Sequence, residues 1–315
     1  MNKQLPSCLL ALFCASTSHA SIINMSGITV YDTANNNAQL NSEFFYEAGN
    51  NPNPDLYRNT IQNAIFTTNV DDGSSGSGTY RDLYRLSDSG NNNNGAVVSG
   101  YNREDGANTV FDTQSPNGFF PGLTIGEMQM KDINGTFYVE FAIDLNEPGN
   151  GSVEYISLDR FGIYLSNSAA PELTDNSHNS LAALGTLAWN LDGLAGDDPA
   201  TSVLLPASGG SGTDDLIISI PAMVFSGWDS STHVTVFSEF GGVGERFSEN
   251  SNGNQLLDFG TNGGGNEDVA FAKGIDNNNL LLDGYRPLED IDAVPEVSSS
   301  LLSLLGLGLL MRRRR

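Results

Sequence analysis

Cysteine is nearly missing from this chain: Cys8 and Cys14 are the two it has, and both fall within the first 20 residues. The rest of the chain has no means to form a disulfide, ligate a metal through thiolate or use a cysteine nucleophile. Histidine is almost as scarce, with His178 and His233 the two beyond residue 20. They form no His-x-x-x-His zinc pair, and two isolated histidines, one in a polar loop and one opening a strand, read as surface and strand-end residues. Basic residues are few as well. Between Asp32 and Glu296 seven arginines, Lys131 and Lys273 stand against all 38 acidic residues, a charge of −29. Phosphate backbones and anionic lipid surfaces would be repelled, so no nucleic-acid partner is expected. An acidic surface of this kind stays soluble and attracts cations. Also missing are a Gly-x-Ser-x-Gly elbow and a phosphate-cradling Gly-x-x-x-x-Gly-Lys-Ser/Thr.

The two ends of the chain carry signals. Lys3, an apolar stretch over 8–15 and the small residues of Ser18-His19-Ala20 predict export and cleavage by a signal peptidase after Ala20. At the other end Pro295-Glu296 precede 15 mostly apolar residues, 297–311, which hold seven leucines and run into Arg312-Arg313-Arg314-Arg315. As a helix this stretch measures about 22 Å at about 1.5 Å per residue. That is short for a permanent span of a hydrocarbon core about 30 Å thick. It suits a helix held briefly in the membrane and then processed, with the four arginines on the cytoplasmic side.

Residues 295–315 resemble a PEP-CTERM sorting signal, the tail that exosortase-type enzymes recognise in Gram-negative bacteria. The family pattern is Pro-Glu-Pro, an apolar helix rich in leucine and glycine, and a basic end. Gly306, Gly308 and the arginine run follow it, while Val297 stands in place of the second proline. The resemblance implies an exosortase-type processing enzyme, a transient inner-membrane anchor, cleavage near Pro295-Glu296 and final residence at the cell surface or in the extracellular matrix. Segments 158–166, 184–190, 210–216 and 236–242 also look like exported β domains that carry such tails. The expected organisation is a signal peptide over 1–20, an ectodomain over 21–290 and a sorting and anchor segment over 291–315.

The ectodomain reads as all-β and is long enough to bury a core without disulfides. Alternation is clearest over 136–144, where Phe137, Val139, Phe141 and Ile143 share one face. Tyr138, Glu140, Ala142 and Asp144 share the other, with Glu140 expected to be solvated. Similar patterns cover 27–31, 161–165, 187–191, 216–220 and 233–240, with weaker ones over 61–68, 80–86, 96–101, 125–130 and 269–272. A helical turn precedes the alternation that begins at Leu187. No segment keeps a long 3.6-residue period. Short strands between Gly- and Asn-rich turns predict an antiparallel β-sandwich or jelly-roll-like ectodomain with a C-terminal apolar helix.

No constellation of catalytic residues emerges, and the ectodomain is read as a non-enzyme. Calcium, which takes oxygen ligands from acidic loops, is the one cofactor the sequence suggests, at the pairs Asp71-Asp72 and Asp214-Asp215. Trp189, in phase with Leu187 and Leu191, is expected in the core. Trp228, in a loop, is the aromatic expected to meet carbohydrate. Two functions follow. One is a surface or matrix protein associated with exopolysaccharide or biofilm; the alternative is a secreted glycoside hydrolase displayed through the same tail, which needs only two carboxylates.

Overall fold

A computed structural model describes residues 21–41, 58–68, 80–87, 97–104, 110–114, 119–146, 155–192, 201–207, 215–261, 265–274, 281–282 and 284–293. The first half of the chain contributes β1 (Ser21–Asn24), β2 (Val30–Asp32), β3 (Ala38–Leu40), β4 (Arg58–Ile61), β5 (Ala64–Thr68), β6 (Tyr80–Leu86), β7 (Val98–Tyr101) and β8 (Thr113–Gln114). Next come β9 (Gln129–Ile133), β10 (Thr136–Asn146), β11 (Tyr155–Ser166), β12 (Thr186–Asn190), β13 (Thr201–Pro206) and β14 (Leu216–Pro221). The last are β15 (His233–Phe240), β16 (Phe247–Ser248), β17 (Leu256–Leu257), β18 (Asn266–Ala272) and β19 (Tyr285–Pro287). Helical structure among the described residues is limited to short 3-10 segments, the longest being His178–Leu184. The fold is all-β, and its sheets are antiparallel apart from the edge pair β1–β13.

One sheet runs β1-β13-β11-β15-β7, with β12 taking over from β13 along the second half of β11. A larger sheet runs β4-β5-β14-β10-β18-β6-β8, extended by β9 and β19. A small sheet orders β17-β16-β2-β3. Alternation assigns the faces. Val139, Phe141, Ile143 and Leu145 of β10 are fully buried. They share one apolar cluster with Ile156, Leu158, Phe161 and Ile163 of β11. Phe141 meets Phe161 edge to face at 5.8 Å between ring centroids. Each such side chain contributes about 1.5–3 kcal/mol through burial. A hydrogen bond also crosses this core, Tyr84 hydroxyl to Ser238 Oγ at 2.9 Å.

Several expectations need correction. Segment 61–68 is two strands, because Gln62 and Asn63 both take positive φ (50° and 64°) and reverse the chain in two residues. Segment 125–130 begins as the 3-10 turn Ile125–Glu127, capped reciprocally by Thr124 and Glu127, before β9 starts. Segment 27–31 forms a strand only from Val30. Glu140 is not solvated: it is 3% exposed. Lys131 Nζ reaches its two oxygens at 3.0 and 3.2 Å, and the Tyr285 hydroxyl donates to it. Trp189 is buried as expected, against Phe66 and Phe161. Its phase with Leu187 fails, because Ala188 is an extra residue between the pairs Ile163–Trp189 and Tyr164–Leu187. That bulge sends Leu187 to the opposite face.

Candidate functional site

The outer face of the six-stranded sheet is where polar and apolar side chains converge. A second bulge creates it. Leu158 pairs with Phe240 and Arg160 with Glu239, so Asp159 is the extra residue on β11. Leu158 then points into the core, while Arg160, Gly162 and Tyr164 line the outer face beside Glu239 and Phe237 of β15. Bulges re-aim side chains in this way, often beside functional sites.

Asp159 fixes the bulge. Its carboxylate is 2% exposed and accepts from Ser157 Oγ at 2.8 Å, Ser202 Oγ at 2.8 Å and the Gly242 amide at 2.5 Å. Desolvation by burial raises its pKa above the ordinary value. The three hydrogen bonds oppose that rise, and the nearby Glu239 charge adds to it.

Above the sheet the segment 167–185 is held down by Tyr101. Its buried hydroxyl donates to Pro171 O at 2.8 Å and accepts from Leu173 N at 3.1 Å. The 3-10 turn His178–Leu184 ends at Gly185, whose φ of 133° and approach to Leu165 O leave no room for a Cβ. This geometry brings His178 Nε2 to 3.1 Å from Glu239 Oε2, while Arg160 Nε lies 3.4 Å from Glu239 Oε1. One carboxylate thus joins strand, neighbouring strand and covering turn.

The result is a cleft of about 250 Å³. Arg160, His178, Asn179, Asn190 and Asp192 supply its polar groups, and Tyr164, Leu181, Leu187 and Phe237 supply apolar wall. Gly162 keeps the floor open, since a Cβ there would lie 3.2 Å from the Tyr164 ring. Burial raises the Tyr164 pKa above the ordinary phenol value, with the nearby Arg160 charge opposing the rise. No serine, threonine or cysteine lines the cleft among the described residues. Chemically it offers hydrogen bonds and a fixed charge pair beside an apolar wall.

A second cavity, of about 390 Å³, borders β12 on its other side. Gln62, Asn63, Ala188, Trp189, Asn190, Pro221, Met223 and Val224 line it, and none of them is charged. Trp189 Nε1 donates to Gln62 O at 3.1 Å. Asn190 borders both cavities, and its Oδ1 is buried without a hydrogen-bond partner among the described residues.

The residues singled out in the sequence lie elsewhere. Asp215 is buried, and its Oδ2 accepts from Leu145 N at 2.8 Å. Asp71, Asp72 and Asp214 lie outside the described residues, as do Ala20, Pro295, Glu296 and Arg312 to Arg315. Among the described residues no group of three or more His, Cys, Asp or Glu side chains is placed to hold a metal ion. Trp228 is half-buried and packs on the main core. His178 joins the cleft; His233 instead opens β15, with its Nδ1 3.9 Å from Glu104. Arg160, Glu239 and Asn190 fall in segments noted only as strands or for their resemblance to exported β domains and not read as site residues, because their convergence depends on a bulge and on strand pairing. Comparison with family models, with curated proteins and with solved structures finds no match for this chain.

Proposed function

We propose that this chain is an exported surface or matrix protein, sorted by an exosortase-type system, whose β-sandwich ectodomain holds matrix polysaccharide in the cleft over β11 and β15 without cleaving it. The observation that carries the binding reading is the Arg160–Glu239–His178 bridge set against Tyr164, Leu181, Leu187 and Phe237. Fixed hydrogen-bonding groups beside an apolar wall suit a sugar, which has polar edges and apolar ring faces. The sandwich reading rests on the apolar cluster that the two large sheets share. The sorting reading rests on the resemblance of 295–315 to a PEP-CTERM signal.

The non-enzyme reading is supported by the chemistry of the cleft. Glu239 is engaged by both Arg160 and His178, Asp192 of the cleft accepts from the Thr201 amide at 2.7 Å, and among the described residues no hydroxyl or thiol nucleophile other than the Tyr164 phenol lines the cleft. Two tests apply. Mass spectrometry of surface-located protein is expected to find an N-terminus at Ser21 and a C-terminus near Glu296; an intact Arg315 on most molecules would refute processing. Purified full-length protein is expected to bind the producer's polysaccharide, with His178→Ala and Asn179→Ala weakening retention about tenfold, the loss of about 1.4 kcal/mol. Steady release of reducing sugar would overturn the non-enzyme reading in favour of a glycoside hydrolase.

A further inference from the structure

The second cavity adds a statement about what the ligand is. An acidic chain has a lining of eight residues here without one charge, made of three amide side chains, an indole edge and small aliphatics. Amides serve hydroxyls as both donor and acceptor, and they do so without the desolvation cost of an ion. The single described side chain common to both cavities is Asn190, which stands opposite Gly162 on the floor of the cleft. Its Oδ1 is buried without a partner among the described residues, and an unsatisfied buried acceptor costs about 1–3 kcal/mol. Met223, 52% exposed, forms part of the far wall, an apolar surface suited to the face of a ring.

From these features we infer that the two cavities are consecutive subsites for one linear, neutral polysaccharide, which crosses β12 at Asn190 with several sugar units engaged. The inference rests on the saccharide reading of the cleft and extends it in two respects, the length of the ligand and its lack of charge. The cleft alone, at about 250 Å³, is smaller than the usual drug-sized pocket of about 300–1,000 Å³ and holds only a short piece of chain. Adding the groove makes later units bind as an intramolecular step, so affinity rises with chain length until both subsites are filled. Anionic units would find no cation in the groove, and in the cleft Arg160 already faces Glu239.

The test is calorimetric titration of the full-length protein with size-graded linear neutral oligosaccharides, β-glucan and mannan series, against oligogalacturonates as the anionic control. Affinity for one neutral series is expected to rise at least tenfold from dimer to hexamer. Met223→Asp is expected to remove that gain, and Asn190→Ala to lower affinity for dimer and hexamer alike. Affinity independent of length, or a gain that survives Met223→Asp, would overturn the two-subsite inference while leaving the cleft reading in place. A preference for the galacturonates would overturn the neutral assignment. Absence of binding to every oligomer and to the producer's polysaccharide would overturn the cleft reading itself, and this inference with it.

Discussion

Replacing Asp159 separates its charge from its hydrogen bonds, because the alanine and asparagine variants remove different things. Alanine leaves the Gly242 amide and the Ser202 hydroxyl without their acceptor, while Ser157 Oγ retains a contact at 3.4 Å to Phe259 O. One orphaned buried amide plus a small cavity costs about 2–4 kcal/mol. In a domain of this size that corresponds to about 4–7 °C in Tm. Asparagine keeps the geometry: its oxygen accepts from Gly242 and Ser157, and its amide donates to a rotated Ser202 hydroxyl. The expected loss at neutral pH is below about 1.5 kcal/mol. The pH dependence is the sharper signature. Burial raises the folded-state pKa of Asp159 above 3.8, so the folded protein keeps this proton to higher pH than the unfolded chain. The stability it contributes is therefore complete below the unfolded pKa and is lost as pH rises through the folded one. Denaturant titrations from pH 4 to pH 8 are expected to show the wild type losing stability relative to Asp159→Asn across that window. Parallel pH profiles for the two proteins would refute the assignment of a costly buried charge, and an unchanged Tm for Asp159→Ala would refute the structural role of the bulge.

Three further outcomes are expected. Tyr84→Phe removes the hydrogen bond to Ser238 between the two large sheets and is expected to cost about 1 kcal/mol by denaturant titration, with no change in secondary structure by circular dichroism. Asn102→Ala removes a buried amide that donates to Pro121 O and Val234 O and accepts from Val236 N; a loss of about 3 kcal/mol is expected, with faster hydrogen exchange along β15. Millimolar calcium is expected to raise Tm beyond magnesium at matched ionic strength if the acidic pairs Asp71-Asp72 and Asp214-Asp215 take it up, whereas equal shifts would leave general screening as the whole effect.

Strands with strict alternation were legible in the sequence, because a period of two can be read wherever one face is buried. Thr136–Asn146 shows it in residue type, with Phe137, Val139, Phe141, Ile143 and Leu145 on one face, whereas His233–Phe240 keeps it only as far as Val236. The misses have local causes. Gln62-Asn63 takes positive φ at both positions without a glycine, so a hairpin passed for one strand. The strand Thr201–Pro206 carries no alternation in residue type, since Val203-Leu204-Leu205 places apolar side chains on both faces. Both bulges, at Asp159 and Ala188, shift the alternation by one residue, and nothing in the sequence announces them. The cleft depends on the first of these bulges and the groove lies beside the second, which is why His178 could be noticed but its partners could not.

The scarcity of basic residues gains a physical meaning once the ion pairs are placed. Arg85 meets Asp268, Lys131 meets Glu140, Arg160 meets Glu239, Arg246 meets Asp32 and Arg103 meets Glu172. Two more arginines lie over rings, Arg81 above Phe120 and Arg286 above Phe137. Arg81 and Arg286 lie exposed over their rings and keep their charge, while five of the nine basic residues between Asp32 and Glu296 are thus paired with carboxylates. Three of the carboxylates they neutralise are nearly buried: Glu140 at 3%, Asp32 at 4% and Glu239 at 9% exposure. The excess acids therefore act on solvent as a field of one sign, strongest at low salt, where the screening length reaches about 30 Å at 0.01 M. An anionic polymer approaching this chain meets that field with few cations to receive it, Arg81 and Arg286 being the exposed ones among the described residues. A neutral polymer feels no such repulsion, and it finds at β12 a surface of amides, indole and methionine from which charge has been left out. On the polysaccharide reading proposed above, this distribution of charge disfavours polyanions that lack bridging cations.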